Sequence, residues 1–187
     1  MTKGTRKTAR SSQNTVERAS VRRHFTATGF VVDASRTLLH WHKRLQQWMP
    51  PGGHLEPDED PVQAVLREVL EETGLVAEVI STREMQPFDY PEQLAPPYTI
   101  LVEDIPGPGE PHKHIDMIYF CRVVDGTRRL AEDPTLCWVD IEELRSEAPL
   151  DVAGCGTSVA VPRDVRQLAL VAIETAHLAD QNSKLQP

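Results

Sequence analysis

The chain has 187 residues and a mass of 21.0 kDa, with 40% hydrophobic residues, 26% charged residues and a net charge of −8. That length suits one packed domain and is short for two; no stretch reaches the roughly 18 apolar residues a membrane span needs. Residues 1–23 carry seven basic side chains and one acid, a net +6, which leaves −14 for the remainder. So acidic a body repels a phosphate backbone and disfavours a nucleic-acid partner.

The basic, Ser/Thr-rich residues 1–22 read as a disordered tail, without the apolar core of a secretory signal. The domain proper is expected over 23–180, followed by a short C-terminal tail at 181–187. Residues 24–33 and 37–42 are rich in β-branched and aromatic side chains and read as two strands joined at Asp33-Ala34-Ser35. The run Trp48-Met49-Pro50-Pro51-Gly52-Gly53 is expected to break regular structure, since its prolines remove donors and its glycines permit unusual backbone angles. Trp41 and Trp48 read as packing residues, Tyr98 as a candidate for stacking on a base. His40 and His42 read as solvent-facing rather than metal-binding.

The clearest element is a helix over 61–73. Asp60 stands as N-cap, Pro61 at the first helical position, Gln63 as the partner in a capping box, and Gly74 at the position after the helix. Val62, Val65, Leu66, Val69 and Leu70 recur at helical spacing and should face the core. Strands are expected at about 75–81, 98–105, 114–124 and 135–140, helices at 141–146 and about 162–179. Seven prolines between 86 and 111 confine the strand at 98–105 between stiff loops. Such a mixture around one sheet is an α+β arrangement. Cys121, Cys137 and Cys155 show no C-x-x-C spacing, which argues against a zinc site or a disulfide framework and fits the cytoplasm.

The chemistry concentrates on the 61–73 helix. At about 100° per residue from Val62, Glu71 falls at about 180°, Glu68 at about 240° and Glu72 at about 280°, bordering the apolar stripe. Glu68 and Glu72 are four apart and repel by a few tenths of a kcal/mol, near the helix end where the dipole disfavours anions. A sequence that bears both costs on one face is arranged for a cation. An all-carboxylate set suits a hard ion, Mg²⁺ or Mn²⁺. Arg67 can reach Glu71 one turn on and orient it, and the glycine turn lets the Gly53 carbonyl approach the same ion.

Gly53, Glu59, Arg67, Glu68, Val69, Glu71, Glu72, Gly74 and Leu75 follow the spacing G-x5-E-x7-R-E-U-x-E-E-x-G-U, where U is aliphatic. The segment resembles the Nudix box at every specified position. The resemblance implies an α/β/α sandwich with a mixed β-sheet and hydrolysis of the pyrophosphate bond in a nucleoside diphosphate linked to a further group: a (d)NTP, an oxidised nucleotide or a nucleotide sugar. It also implies that Glu68, Glu71, Glu72 and the Gly53 carbonyl hold Mg²⁺ or Mn²⁺, that Glu59 supports them and that Arg67 orients them. Glu68, or a carboxylate outside the box, would take the proton. The rival reading is a nucleotide-sensing module of the same fold without turnover. A homodimer is compatible with either.

Outside the box, His112, His114 and Asp116 alternate and should share one strand face, where His114 could contact phosphates and Asp116 could act as base. Glu132, ahead of the Trp138 strand, is a further candidate for a basic or metal-binding carboxylate. An ordinary polar face and an exposed loop acid explain these residues as well.

Overall fold

The computed structural model describes residues 21–83, 85–86, 89–105, 111–124 and 130–185. In chain order the elements are β1 (Arg22–Asp33), β2 (Arg36–His42), β3 (Gln47–Met49), β4 (Gly52–His54), α1 (Pro61–Thr73), β5 (Ala77–Val79), β6 (Thr99–Ile105), β7 (His112–Val123), β8 (Leu136–Asp140), α2 (Ile141–Ser146), β9 (Leu150–Val152), β10 (Thr157–Val159) and α3 (Arg163–Leu185). Of the disordered tail expected over residues 1–22, residues 1–20 lie outside the described residues, and Arg22 already belongs to β1.

β1 and β7 run parallel along the centre of a mixed sheet, from Arg22 opposite His112 to Val32 opposite Arg122. Each central strand changes its outer neighbour along its length. β1 pairs with β4 at Thr26–Thr28 and with β2 at Val32–Asp33, while β7 pairs with β6 over its first half and with β5 at Cys121–Val123. β3 and β8 flank β2.

Alternation along the central strands divides the core into two layers. Ala27 and Val31 of β1, with Tyr119, Cys121 and Val123 of β7, pack against Ala64, Val65 and Val69 of α1. Phe30 and Val32, with Ile118 and Phe120, face Val165, Ala169, Ala172 and Ile173 of α3. Helices thus cover both faces of the sheet, as the resemblance implies. At Gly29 α1 packs close against the sheet: a Cβ there would stand 2.9 Å from Val65 Cγ2 and 3.0 Å from Val69 Cγ2.

α1 begins and ends where its capping residues place it. The Asp60 carboxylate accepts from the Val62 and Gln63 amides at 2.8 and 2.9 Å, Gln63 Oε1 accepts from the Asp60 amide at 2.9 Å, and Gly74 adopts φ 72°. Such a cap contributes about 1 kcal/mol.

The structure departs from the expected elements in three places. Trp48–Gly53 is not wholly irregular, because β3 and β4 form on either side of the two prolines. The hairpin β9–β10 had no periodic signal: each strand is three residues long. α3 continues to Leu185, so most of the expected C-terminal tail is helical. Among the described residues, no helix is long and apolar enough to cross a membrane.

Candidate active site

The order of β4, β1, β7 and β6 at one end of the sheet creates a cavity of about 690 Å³, with Gly53 and Glu72 on one wall and Asp116 and Glu103 on another. Leu101, Leu168 and Met49 add apolar lining to the same cavity.

Beside it, the acidic residues of α1 and the preceding loop gather on one guanidinium. Arg67 donates from Nε and Nη2 to the two Glu59 oxygens at 3.0 and 2.7 Å, a bidentate pair, and from Nη1 to Glu68 at 2.8 Å and Glu71 at 3.1 Å. Nη2 also donates to the His54 carbonyl at 3.1 Å, which ties the helix to β4. These bonds, to Glu59 and then Glu68, raise the Arg67 pKa and hold it charged. The bond from Arg67 lowers the Glu59 pKa.

Glu72 points elsewhere and accepts from the Gly52 amide at 3.0 Å. Burial pushes its carboxyl up to about 7 against the pull of that N–H, and the neighbouring charges of Glu68 and Glu71 add to the rise. Gly53 lies between β4 and the helix, so close that a Cβ would stand 2.6 Å from the Glu68 carboxyl carbon. Glu59, Glu68 and Glu71 therefore share Arg67 as a common cation, while Glu72 turns away from it to the Gly52 amide.

Asp116 sits in β7 opposite Thr26 of β1. Its carboxylate accepts from the Thr26 hydroxyl at 2.9 Å and from the Thr28 hydroxyl at 2.9 and 3.0 Å. Burial raises its pKa against these two hydroxyls. His114 faces the same cavity, so the alternation expected on this strand brings both residues to one wall. Glu132 is exposed in the loop before β8 and does not line the cavity.

Several lining residues escaped the sequence reading. Glu103 is brought in by the alternation of β6, and its pKa is raised by burial and then by Asp116 and Asp164. His40 and His42 border the cavity and do not simply face solvent. Both are half-buried in β2, at the positions paired with Met49 and Gln47 of β3, which also line the cavity. Trp41 and Trp48 are buried against each other, 5.5 Å between ring centroids, while Tyr98 stacks on Phe120 at 4.4 Å.

A family model described as the NUDIX domain matches residues 22–154. An m7GpppN-mRNA hydrolase of Danio rerio is 68% identical over 28 residues, 15% of this chain and 9% of that protein. An RNA pyrophosphohydrolase of Roseobacter denitrificans is 45% identical over 53 residues, 26% of this chain and 33% of that protein. The chain thus spans a third or less of these curated relatives. Among solved structures, a NUDIX-family hydrolase from Clostridium perfringens superposes with a TM-score of 0.63 at 24% identity, covering 83% of this chain and 99% of that one. A NUDIX hydrolase from Nitrosomonas europaea gives 0.50 at 23% identity, covering 84% and 90%. At these identities the likeness is one of fold.

Proposed function

From the premise that the chain belongs to the NUDIX hydrolase family, we propose that it hydrolyses the pyrophosphate bond of a nucleoside diphosphate linked to a further group. The observation that carries this reading is the cluster around Arg67, in which three carboxylates share one cation at the edge of a cavity while a fourth, Glu72, is buried with its pKa raised to about 7.

That arrangement fits a hard divalent ion. Glu72 is desolvated and repelled by its neighbours, a cost that a dication relieves, and the close approach of Gly53 leaves its backbone beside the Glu68 carboxylate. Glu68, Glu71, Glu72 and the Gly53 carbonyl would hold Mg²⁺ or Mn²⁺. When bound, such an ion offsets phosphate charge and lowers the pKa of its water.

The chain's own residues supply the rest. Arg67 and Glu59 fix the orientation of Glu68 and Glu71. Asp116, held by Thr26 and Thr28 and more basic than an exposed aspartate, faces the cavity as an acceptor for the proton of the attacking water. A cavity with both polar and apolar lining suits an amphiphilic substrate, with the base against Leu101 and Leu168 and the phosphates toward Glu72 and His114. A (d)NTP, an oxidised nucleotide and a nucleotide sugar all have this form.

The test is a nucleotide panel assayed for phosphate and pyrophosphate release with Mg²⁺ and with Mn²⁺, using the full chain and Glu71→Gln. Turnover that falls by about 100-fold or more in the variant, with unchanged circular dichroism, supports the assignment. Nucleotide binding without release across the panel points instead to a sensing module.

A further inference from the structure

Four histidines that are scattered in sequence meet beside the cavity, which His54 and His114 line. Parallel pairing sets His24 of β1 opposite His114 of β7, with His112 two residues earlier on the same face, and β4 brings His54 opposite Thr26. One ring nitrogen from each of His24, His112 and His114 falls within 4.8 Å of the others, and all three residues are half-buried. His54 Nε2 lies 3.3 Å from His24 Nδ1, and the His54 and His114 ring centroids are 4.7 Å apart. The buried His114 Nε2 has no hydrogen-bond partner among the described residues.

We infer that His24, His112 and His114, with His54 at their edge, form a nitrogen-donor site for a divalent transition ion of the Zn²⁺ class, separate from the carboxylate cluster on α1. Nitrogens bound to one tetrahedral ion at about 2.0–2.1 Å stand roughly 3.3 Å apart. The His24–His54 pair already has that spacing, and the other rings close to it by moving less than about 1 Å each. Imidazole suits Zn²⁺, Co²⁺, Ni²⁺ and Cu²⁺, whereas Mg²⁺ prefers oxygen.

The surrounding charges sharpen the choice of ion. Arg22 and Arg44 lie near the rings, so an ion held by charge alone is disfavoured and one held by strong nitrogen bonds is favoured. The two clusters therefore divide by chemistry, oxygen donors for a hard ion and nitrogen donors for a softer one. They are joined through one residue, because the His54 carbonyl accepts from Arg67 while its ring borders the histidines.

The full chain, free of any polyhistidine tag and held in excess Mg²⁺, is titrated with Co²⁺ and followed by visible absorption. The expected result is a ligand-field band characteristic of nitrogen coordination, saturating at one equivalent and bleached by Zn²⁺. His24→Asn and His112→Asn should each weaken binding at least about tenfold, and Glu71→Gln should leave it intact. Melting curves without metal check that the histidine variants fold; should either fail, His54→Asn takes its place, expected to shift the band without abolishing it. The proposal is overturned if only the aquo-ion spectrum appears, if the band survives His24→Asn with His112→Asn, or if it is lost in Glu71→Gln alone. Histidine NMR signals that respond to inorganic phosphate but not to Zn²⁺ would make this an anion site and overturn it equally.

Discussion

The Gly53 backbone lies so close to the Glu68 side chain that a methyl group added at residue 53 would stand 2.6 Å from the carboxyl carbon. The absent side chain at Gly53 is thus what leaves room for the Glu68 carboxylate against β4. In Gly53→Ala the obstructing group is the end of a flexible side chain, so the fold should survive at a cost below about 1–3 kcal/mol. Turnover should fall by about 100-fold as Glu68 is pushed aside. Wild-type rates with an unchanged Mg²⁺ requirement would show that the proximity has no bearing on the reaction.

Arg67 is the common partner of Glu59, Glu68 and Glu71. Arg67→Ala leaves these acids facing one another and should cost about 1–3 kcal/mol at pH 8 by chemical denaturation. Saturating Mg²⁺ should return part of that stability, since an ion that binds the folded state alone stabilises it. Arg67→Lys cannot make the bidentate pair with Glu59 and should behave more like the alanine variant than like the wild type. Equal stability of all three proteins would refute the shared-cation account.

The buried Glu72 gives a signed pH dependence. Its carboxyl titrates at about 7 in the fold against 4.5 for an ordinary glutamate. Below about 4.5 it is protonated folded or unfolded; between 4.5 and about 7 the folded state keeps a proton that the unfolded chain has released. This group therefore makes the protein less stable as pH rises through that window, with the penalty complete above it. In chelator, Glu72→Gln should match the wild type near pH 4.5 and melt higher at pH 8, while losing turnover. A variant that melts lower at pH 8 would mean the carboxylate is stabilised by groups other than those seen here.

Gly29 tests the packing that holds the helix in place. A Cβ there meets methyl groups of both Val65 and Val69, which are fully buried. Gly29→Ala should destabilise by about 1–3 kcal/mol through overpacking. Combined with Val65→Ala, the loss should be smaller than the sum of the two single changes, as a double-mutant cycle would measure. Strict additivity would mean that the two sites do not touch.

What could be read from the chain alone was whatever depends on neighbours within a few residues. Asp60, Pro61, Gln63 and Gly74 delimit α1, and the spacing of Glu68, Glu71 and Glu72 puts their side chains on one arc, because helix geometry is set by bonds from one turn to the next. Even Arg67 reaching Glu71 is a one-turn contact. The capture of Glu59, eight residues from Arg67, needed the loop to fold back; the family resemblance implied a supporting role for Glu59 but not its pairing with Arg67. Asp116 beneath Thr26, 90 residues away, and the meeting of His24, His54, His112 and His114 depend on β1 and β7 running parallel in one register with β4 paired antiparallel to β1. No local pattern encodes that register. Strand pairing is chosen by which faces can be buried together under α1 and α3, so only the tertiary structure could decide it.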